Sequence, residues 1–198
     1  MAENRARKIL SAGGIGVLPT DTIYGLVGSA LKPEMVRRIY KLRKRNRKKP
    51  MIILIGSLDD LAMFGIKVGP GLKKVLSKFW SGKVSVILPC CAKKFLYLHR
   101  GTKALAFRMP KVIWLRRLLK DTGPLVAPSA NLEGLPPAKT IAEAKEYFGS
   151  TADFYVDRGK LESAPSTLVE ITKKRGSYCV LLKRKGAVKI SRQLLSGN

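Results

Sequence analysis

Apolar and polar positions along the chain follow two rhythms, helical in some stretches and strand-like in others. Residues 3–12 keep a helical pattern that stops at Gly13-Gly14, where glycine can take the left-handed conformation that closes a helix. IGVLP at 15–19 reads as a short buried strand. Pro33 suits the first turn of the next helix, along which Met35, Val36, Ile39, Tyr40 and Leu42 fall at helical spacing. Pro50 ends the connection that follows, and MIILI at 51–55 reads as a central strand. Ser57 and Asp60 form a predicted capping box for a helix through about Met63. PGLKKVLSKFW at 70–80 is amphipathic at the helical period. Strands are predicted for KVSVILPC at 83–90, ALAFRMP at 104–110 and PLVAP at 124–128, with a helix over VIWLRRLLK at 112–120. Thr140 and Glu143 make a second capping box for a helix ending near Phe148. FYVD at 154–157, STLVEIT at 166–172 and SYCVLLK at 177–183 close the chain as strands, before a short helix near 191–195.

Helices and strands alternate early and strands cluster late, which predicts an α/β fold with a mixed sheet. The 198 residues suit a single domain over 1–198, and 45% hydrophobic content supplies a core. No apolar run is long enough to cross a bilayer. The N-terminal stretch carries charge but no apolar segment of the secretory kind, so the expected location is cytoplasmic.

Composition changes the picture in one respect. Thirty-nine Lys and Arg against thirteen Asp and Glu give a net charge of +26. A field of that sign attracts polyanions, and phosphate neutralisation makes such binding salt-dependent. A lineage with basic proteins, or adaptation to heat or salt, is the bland account of the same charge. Cys90, Cys91 and Cys179 contain no CxxC and stand with one histidine, His99, at spacings unlike a zinc module. Reduced, mostly buried thiols are expected.

Two segments carry the candidate chemistry. LPTDTIYGL at 18–26 and PLVAPSAN at 124–131 are apolar runs interrupted or ended by small hydroxyl and amide side chains, which is how a buried strand delivers a polar binding edge. Between them lies KLRKRNRKK at 41–49, in which Arg43 and Arg45 would point the same way if the helix has ended and the chain runs extended. Arg100, Arg108 and Arg184 are further candidates, the last two beside apolar strands. Guanidinium forks match phosphate oxygens. There is no Walker A loop and no GxGxxG, and His99 has no triad around it. Asp21, Asp157 and Glu133 are the carboxylates that could help hold a magnesium ion, with Asp21 equally a turn residue. Rich in donors and poor in bases, the set fits phosphoryl or nucleotidyl transfer, where positioning and charge stabilisation supply most of the catalysis.

With LPTDTIYGL, IYKLRKRNRKKPMIILI, FWSGKVSVIL, LAFRMP, PLVAPSANLEGLPP, APSTLVEIT and LLKRKGAV in this order, the chain resembles the YrdC-type threonylcarbamoyl-adenylate synthases in their short, single-domain form. The resemblance covers about residues 3–190. It implies a twisted mixed β-sheet flanked by helices, with a basic concave face. It implies synthesis of threonylcarbamoyl-AMP and pyrophosphate from L-threonine, bicarbonate or CO2, and ATP. It also implies Mg²⁺ held mainly by the ATP phosphates, with no protein metal site, and a partner tRNA threonylcarbamoyltransferase. Carried over by position, Thr22, Arg108, Ser129 and Ser166 would bind threonine. Arg43, Arg45, Lys49, Asn131 and Arg184 would bind the nucleotide, with Arg43 and Arg45 acting on the reacting phosphates. The chain departs from the family pattern at Arg43, usually lysine, at Asn46, usually proline, and at Ser85, usually threonine. The competing expectation is an RNA-binding or ribosome-assembly protein of the same fold, touching tRNA or double-stranded RNA without synthase activity. A carbamoyl-adenylate domain of the hydrogenase-maturation kind is the other, although its zinc-finger and acylphosphatase companions are missing from this sequence.

Overall fold

The computed structural model describes residues 2–174 and 176–191. Helices α1 (Ala2–Ser11), α2 (Pro33–Leu42), α3 (Pro70–Leu76), α4 (Leu96–His99), α5 (Ile113–Thr122) and α6 (Ile141–Phe148) alternate with nine strands. The strands are β1 (Gly16–Pro19), β2 (Tyr24–Ser29), β3 (Ile52–Leu54), β4 (Val84–Pro89), β5 (Ala104–Arg108), β6 (Leu125–Val126), β7 (Phe154–Tyr155), β8 (Thr167–Lys174) and β9 (Ser177–Arg184). They form one mixed sheet in the order β7-β1-β2-β6-β3-β5-β4-β8-β9. The β3–β5, β4–β8 and β1–β7 pairs are parallel and the others antiparallel.

Apolar packing covers both faces of the sheet from β1 to β3, while one face of β5, β4, β8 and β9 is left to line a cavity, and the period of two along each strand divides the core. Leu18, Val27, Leu54 and Leu125 point to one side, against Ala6 and Leu10 of α1 and Leu115, Leu118 and Leu119 of α5. Their neighbours Val17, Leu26, Ile53 and Val126 point to the other, against Val36 and Ile39 of α2, Leu76 of α3 and Ala144 of α6. Strands buried on both faces read as continuous apolar runs, which is why MIILI and PLVAP carry no alternation.

Several elements differ from expectation for identifiable reasons. Strand β2 has no counterpart in the sequence reading, because Gly25 and Gly28 break the apolar run. Gly28 is nonetheless required, since a Cβ there would press on Ile15 and Ile39. The Ser57–Asp60 pair does not start an α-helix. Asp60 accepts the Gly56 and Ser57 amides, and a 3₁₀ turn over Asp59–Phe64 follows. Helix α3 ends at Leu76 rather than residue 80, and turns then bury Phe79 and Trp80, whose indole donates to the Val84 carbonyl at 2.9 Å. In the α6 cap, Thr140 accepts from the Glu143 amide at 3.2 Å as expected, but the Glu143 carboxylate takes the Lys139 amide, one residue earlier than a capping box would. Helix α4 was not anticipated. The helix expected near 191–195 lies, past its first residue, outside the described residues.

His99 is buried, its Nδ1 accepting from the Gly101 amide at 3.2 Å. Of the thiols only Cys90 is buried; Cys91 is exposed and Cys179 half-buried. Among the described residues no helix is long and apolar enough to cross a membrane.

Candidate active site

The PTDT segment is a hairpin turn. Strands β1 and β2 pair antiparallel, and the Thr20 hydroxyl accepts the Thr22 and Ile23 amides at 3.1 and 3.3 Å, which locks the loop between them. Thr22 is thereby buried, its hydroxyl 3.0 Å from that of Thr20. Strand β6 brings the second motif alongside. Ser129 bridges Gly25, the Leu26 amide donates to the Pro128 carbonyl at 3.0 Å, and the Ala130 amide donates to Tyr24 at 2.9 Å. Ser166 stands at the entry to β8, hydrogen-bonded at 2.8 Å to the fully buried Ser85 of β4. The serine that departs from the family threonine therefore still supplies a hydroxyl.

The basic run reaches the same place by a helix end, not by an extended segment. Helix α2 stops at Leu42. Lys44 takes a left-handed conformation (φ 48), its amide donates to Lys41, and the Arg45 amide donates back to Tyr40 at 3.0 Å. This is the Schellman arrangement with lysine in the usual glycine position. The reversal sends Arg43 inward. Its Nε donates to the Asn131 carbonyl at 3.0 Å, and its Nη2 to the Asn131 side-chain oxygen at 2.8 Å and to the Ser129 hydroxyl at 3.2 Å. Only 2% exposed, Arg43 keeps a buried Nη1 with no hydrogen-bond partner among the described residues. Arg45 aims along the wall, donating to the Lys49 and Pro50 carbonyls at 3.3 and 3.0 Å.

Thr22, Arg43, Arg45, Lys49, Arg108, Ser129, Ser166 and Arg184 all line one cavity of about 650 Å³. Asn131 is the expected residue that does not. Its oxygen holds Arg43 and its amide donates to the Leu132 and Leu135 carbonyls at 2.8 and 2.6 Å, so it sits behind the arginine rather than facing a nucleotide. Arg100, the other arginine candidate, is also absent from the lining. Arg184 is anchored to the Ser166 carbonyl at 2.8 Å, joining the late arginine to the hydroxyl wall.

The electrostatics of the cavity are those of crowded cations. Burial, then the charge of Arg45, pushes Arg43 down to about 10. Arg184 is lowered by burial and again by Arg45. Arg108, lowered chiefly by burial, is raised by Asp21 and lowered by Arg184. Each arginine thus feels the next, and an anion placed among them would relieve the repulsion.

The sequence offered the carboxylates near the site as possible metal ligands, with Asp21 equally a turn residue, and in the structure each accepts from a protein cation, hydroxyl or amide. Asp21 forms a buried ion pair with Arg108 and accepts the Lys111 amide at 3.2 Å. Glu133 binds Lys49 Nζ at 2.7 Å and the Asn46 amide, and these bonds hold its carboxyl below the usual range. Asp157 lies away from the cavity, accepting from the Gly159 amide and Tyr24 hydroxyl at 2.8 and 3.3 Å. Glu170 and Lys183, paired at 3.3 Å, line the cavity and carried no sequence signal beyond their strand positions. Among the described residues no cluster of three or more His, Cys, Asp or Glu could hold a metal ion.

Known proteins resemble this chain in sequence and in fold. The chain is 31% identical over 158 residues to a threonylcarbamoyl-AMP synthase of Bacillus subtilis, covering 78% of this chain and 45% of that one. It is 28% identical over 169 residues to a threonylcarbamoyl-AMP synthase of Hahella chejuensis, covering 83% of this chain and 90% of its relative. Among solved structures, Sua5 of Pyrococcus abyssi in complex with L-threonine superimposes with a TM-score of 0.79 at 25% identity, over 90% of this chain and 52% of Sua5. The chain therefore corresponds to about half of Sua5. The profile of the Sua5/YciO/YrdC family, described as telomere recombination, matches residues 8–185. A mixed sheet of this order, the paired PTDT and SAN edges and a match spanning nearly the whole chain lead to one conclusion: the chain belongs to the Sua5/YciO/YrdC family.

Proposed function

We propose that the chain is a threonylcarbamoyl-AMP synthase, joining L-threonine, bicarbonate or CO2, and ATP with release of pyrophosphate. The observation that carries this reading is the cavity itself, in which Arg43, Arg45, Arg108 and Arg184 crowd beside the hydroxyls of Thr22, Ser129 and Ser166. The threonine-bound Sua5 supports the amino-acid substrate.

In the proposed reaction the threonine amine attacks CO2, forming an N–C bond and losing a proton. The resulting carboxylate attacks the α-phosphorus of ATP; an O–P bond forms and the bond to pyrophosphate breaks. Attacker and triphosphate are both negative, so the cations supply the main help. An anionic oxygen ~4 Å from one guanidinium gains roughly 4 kcal/mol at an effective dielectric of ~20. Arg43 Nη1 and Arg45 are assigned to the phosphates with Arg184. Lys49 is assigned to them too, although it now pairs with Glu133. Arg108 is assigned to the threonine carboxylate through the donors Asp21 leaves open, with Thr22, Ser129 and Ser166 around the amino acid. Asn131 acts on the nucleotide through Arg43. Asp21, Glu133 and Glu170 are each paired with a cation, so the described residues offer no metal cage, and Mg²⁺ would arrive on the triphosphate oxygens.

The product would pass to a tRNA threonylcarbamoyltransferase in the cytoplasm, and the +26 charge supports contact with tRNA or double-stranded RNA along the way. The deciding experiment mixes the protein with ATP, Mg²⁺, threonine and bicarbonate. A threonylcarbamoyl-AMP mass, with pyrophosphate release that disappears when threonine is omitted, is the expected result. RNA binding without any such product would favour the non-enzymatic reading.

A further inference from the structure

The pairing of Tyr40 with Arg100 takes no part in the chemistry above. Arg100 follows α4 in a left-handed conformation (φ 50), one that side chains other than glycine adopt at a cost. Its guanidinium carbon lies 4.3 Å from the centroid of the Tyr40 ring. Its Nε is buried without a hydrogen-bond partner, and no carboxylate pairs with it among the described residues. A strained backbone and an orphaned donor thus coincide in a residue whose one side-chain contact of note covers Tyr40.

Tyr40 in turn touches the basic loop at both ends. Its carbonyl accepts the Arg45 amide at 3.0 Å. Its hydroxyl donates to the Lys49 carbonyl at 2.8 Å, and that same oxygen takes Arg45 Nε at 3.3 Å. Tyr40, only 3% exposed, is thus tied through its carbonyl and its hydroxyl to the two ends of the 45–49 segment that carries Arg45 to the cavity.

We infer that Arg100 is a positioning residue for the triphosphate subsite: stacked on Tyr40, it holds the phenol that ties down the 45–49 loop and aims Arg45. The inference rests on the synthase reading only for the identity of the ligand, ATP. A guanidinium suits the role better than an apolar side chain. Its cation is drawn to the ring face by cation–π attraction, which an apolar side chain cannot supply.

The test compares wild type with Arg100→Ala, Tyr40→Phe and the double variant, by calorimetric titration with Mg-ATP and by steady-state kinetics for each substrate. Each single change is expected to weaken ATP binding by ~3–10-fold and to lower kcat by a similar factor through the misaimed Arg45, while the KM for threonine stays within about twofold. The double variant is expected to be no worse than the poorer single, because the Arg100 stack acts only through the bond from the Tyr40 hydroxyl to the Lys49 carbonyl that Tyr40→Phe already removes. Arg100→Lys, which keeps a cation over the ring, is expected to recover part of the loss. Unchanged ATP affinity in Arg100→Ala would overturn the inference. So would an equal rise in both KM values with a lowered melting temperature, which would mark general packing. Additive losses in the double variant would show that Arg100 meets the nucleotide on its own, and would also overturn it. A wild-type protein that binds ATP yet forms no threonylcarbamoyl-AMP would sink the synthase reading and leave the titration interpretable.

Discussion

Arg43 shows how a single side chain can be named from sequence while its work is decided elsewhere. It stands where the family usually has lysine, and its fork makes three bonds to Ser129 and Asn131 that an ammonium could not make in that geometry. Only Nη1 is left for a ligand. Arg45 is freer, so its loss should act more directly on the nucleotide. Arg45→Ala is expected to raise the ATP KM and to lower kcat by about 10²-fold, and wild-type kinetics in this variant would remove Arg45 from the site. Arg108→Ala should raise the KM for threonine about tenfold or more and that for ATP far less. It should also strand Asp21 as an unpaired buried charge, at a cost of about 3–5 kcal/mol. Adding Asp21→Asn should restore much of the melting temperature without restoring threonine binding. Recovery of both would show that the first effect was only structural.

Among the elements, connections matter as much as helices and strands. The segment after β9 folds back, so that the Ala187 amide donates to Pro165 at 2.8 Å and the Val188 amide to the Thr167 hydroxyl at 3.0 Å. A Cβ on Gly186 would press into the Pro165 and Ser166 carbonyls, which are backbone and cannot swing aside. Gly186→Ala is expected to cost about 1–3 kcal/mol and to shift the Ser166 wall, raising the KM for threonine. An unaltered melting curve would contradict the close approach. At the opposite edge of the sheet Asp153 joins α2 to the β1–β7 pair through Arg38, at 2.7 and 2.8 Å, and the Ile15 amide at 2.7 Å. Arg38, then the Ile15 amide, holds the Asp153 carboxyl below its ordinary value despite partial burial. Folding depresses this acid. Its contribution is therefore complete above the unfolded value near ~4 and fades as pH falls through the lower folded value. Asp153→Asn should cost about 1 kcal/mol at neutral pH, the pair being partly exposed, and the gap should close as the medium becomes acidic enough to protonate the wild-type carboxyl. A gap that persists unchanged through that range would contradict the linkage.

Taken whole, the molecule is a cation. No Asp or Glu occurs between Asp60 and Asp121, while lysines and arginines continue throughout. Binding to tRNA or another polyphosphate should fall steeply and linearly in a plot of log affinity against log salt, with a slope of about −3 or steeper if several phosphates are neutralised together. A nearly flat plot would assign the charge to habitat rather than to a partner.

The apolar rhythm made most helices and strands legible, because burial of one helix stripe or both strand faces leaves a local period. The same rhythm missed β2, where Gly25 and a Gly28 demanded by packing against Ile15 and Ile39 dilute the signal, and spacing alone could bring Arg43 and Arg45 together only on an extended segment, where the structure has a helix reversal. The sequence by itself determined which residue types would meet an anion and in what order they occur. Only the tertiary structure decided how they are joined: Arg43 with Asn131, 88 positions away, and Arg108 with Asp21, 87 positions away. Periodicity reports what a residue does with its neighbours in the chain. A hydrogen bond or ion pair between distant segments depends on sheet order and strand register, and these are settled only when the whole core packs.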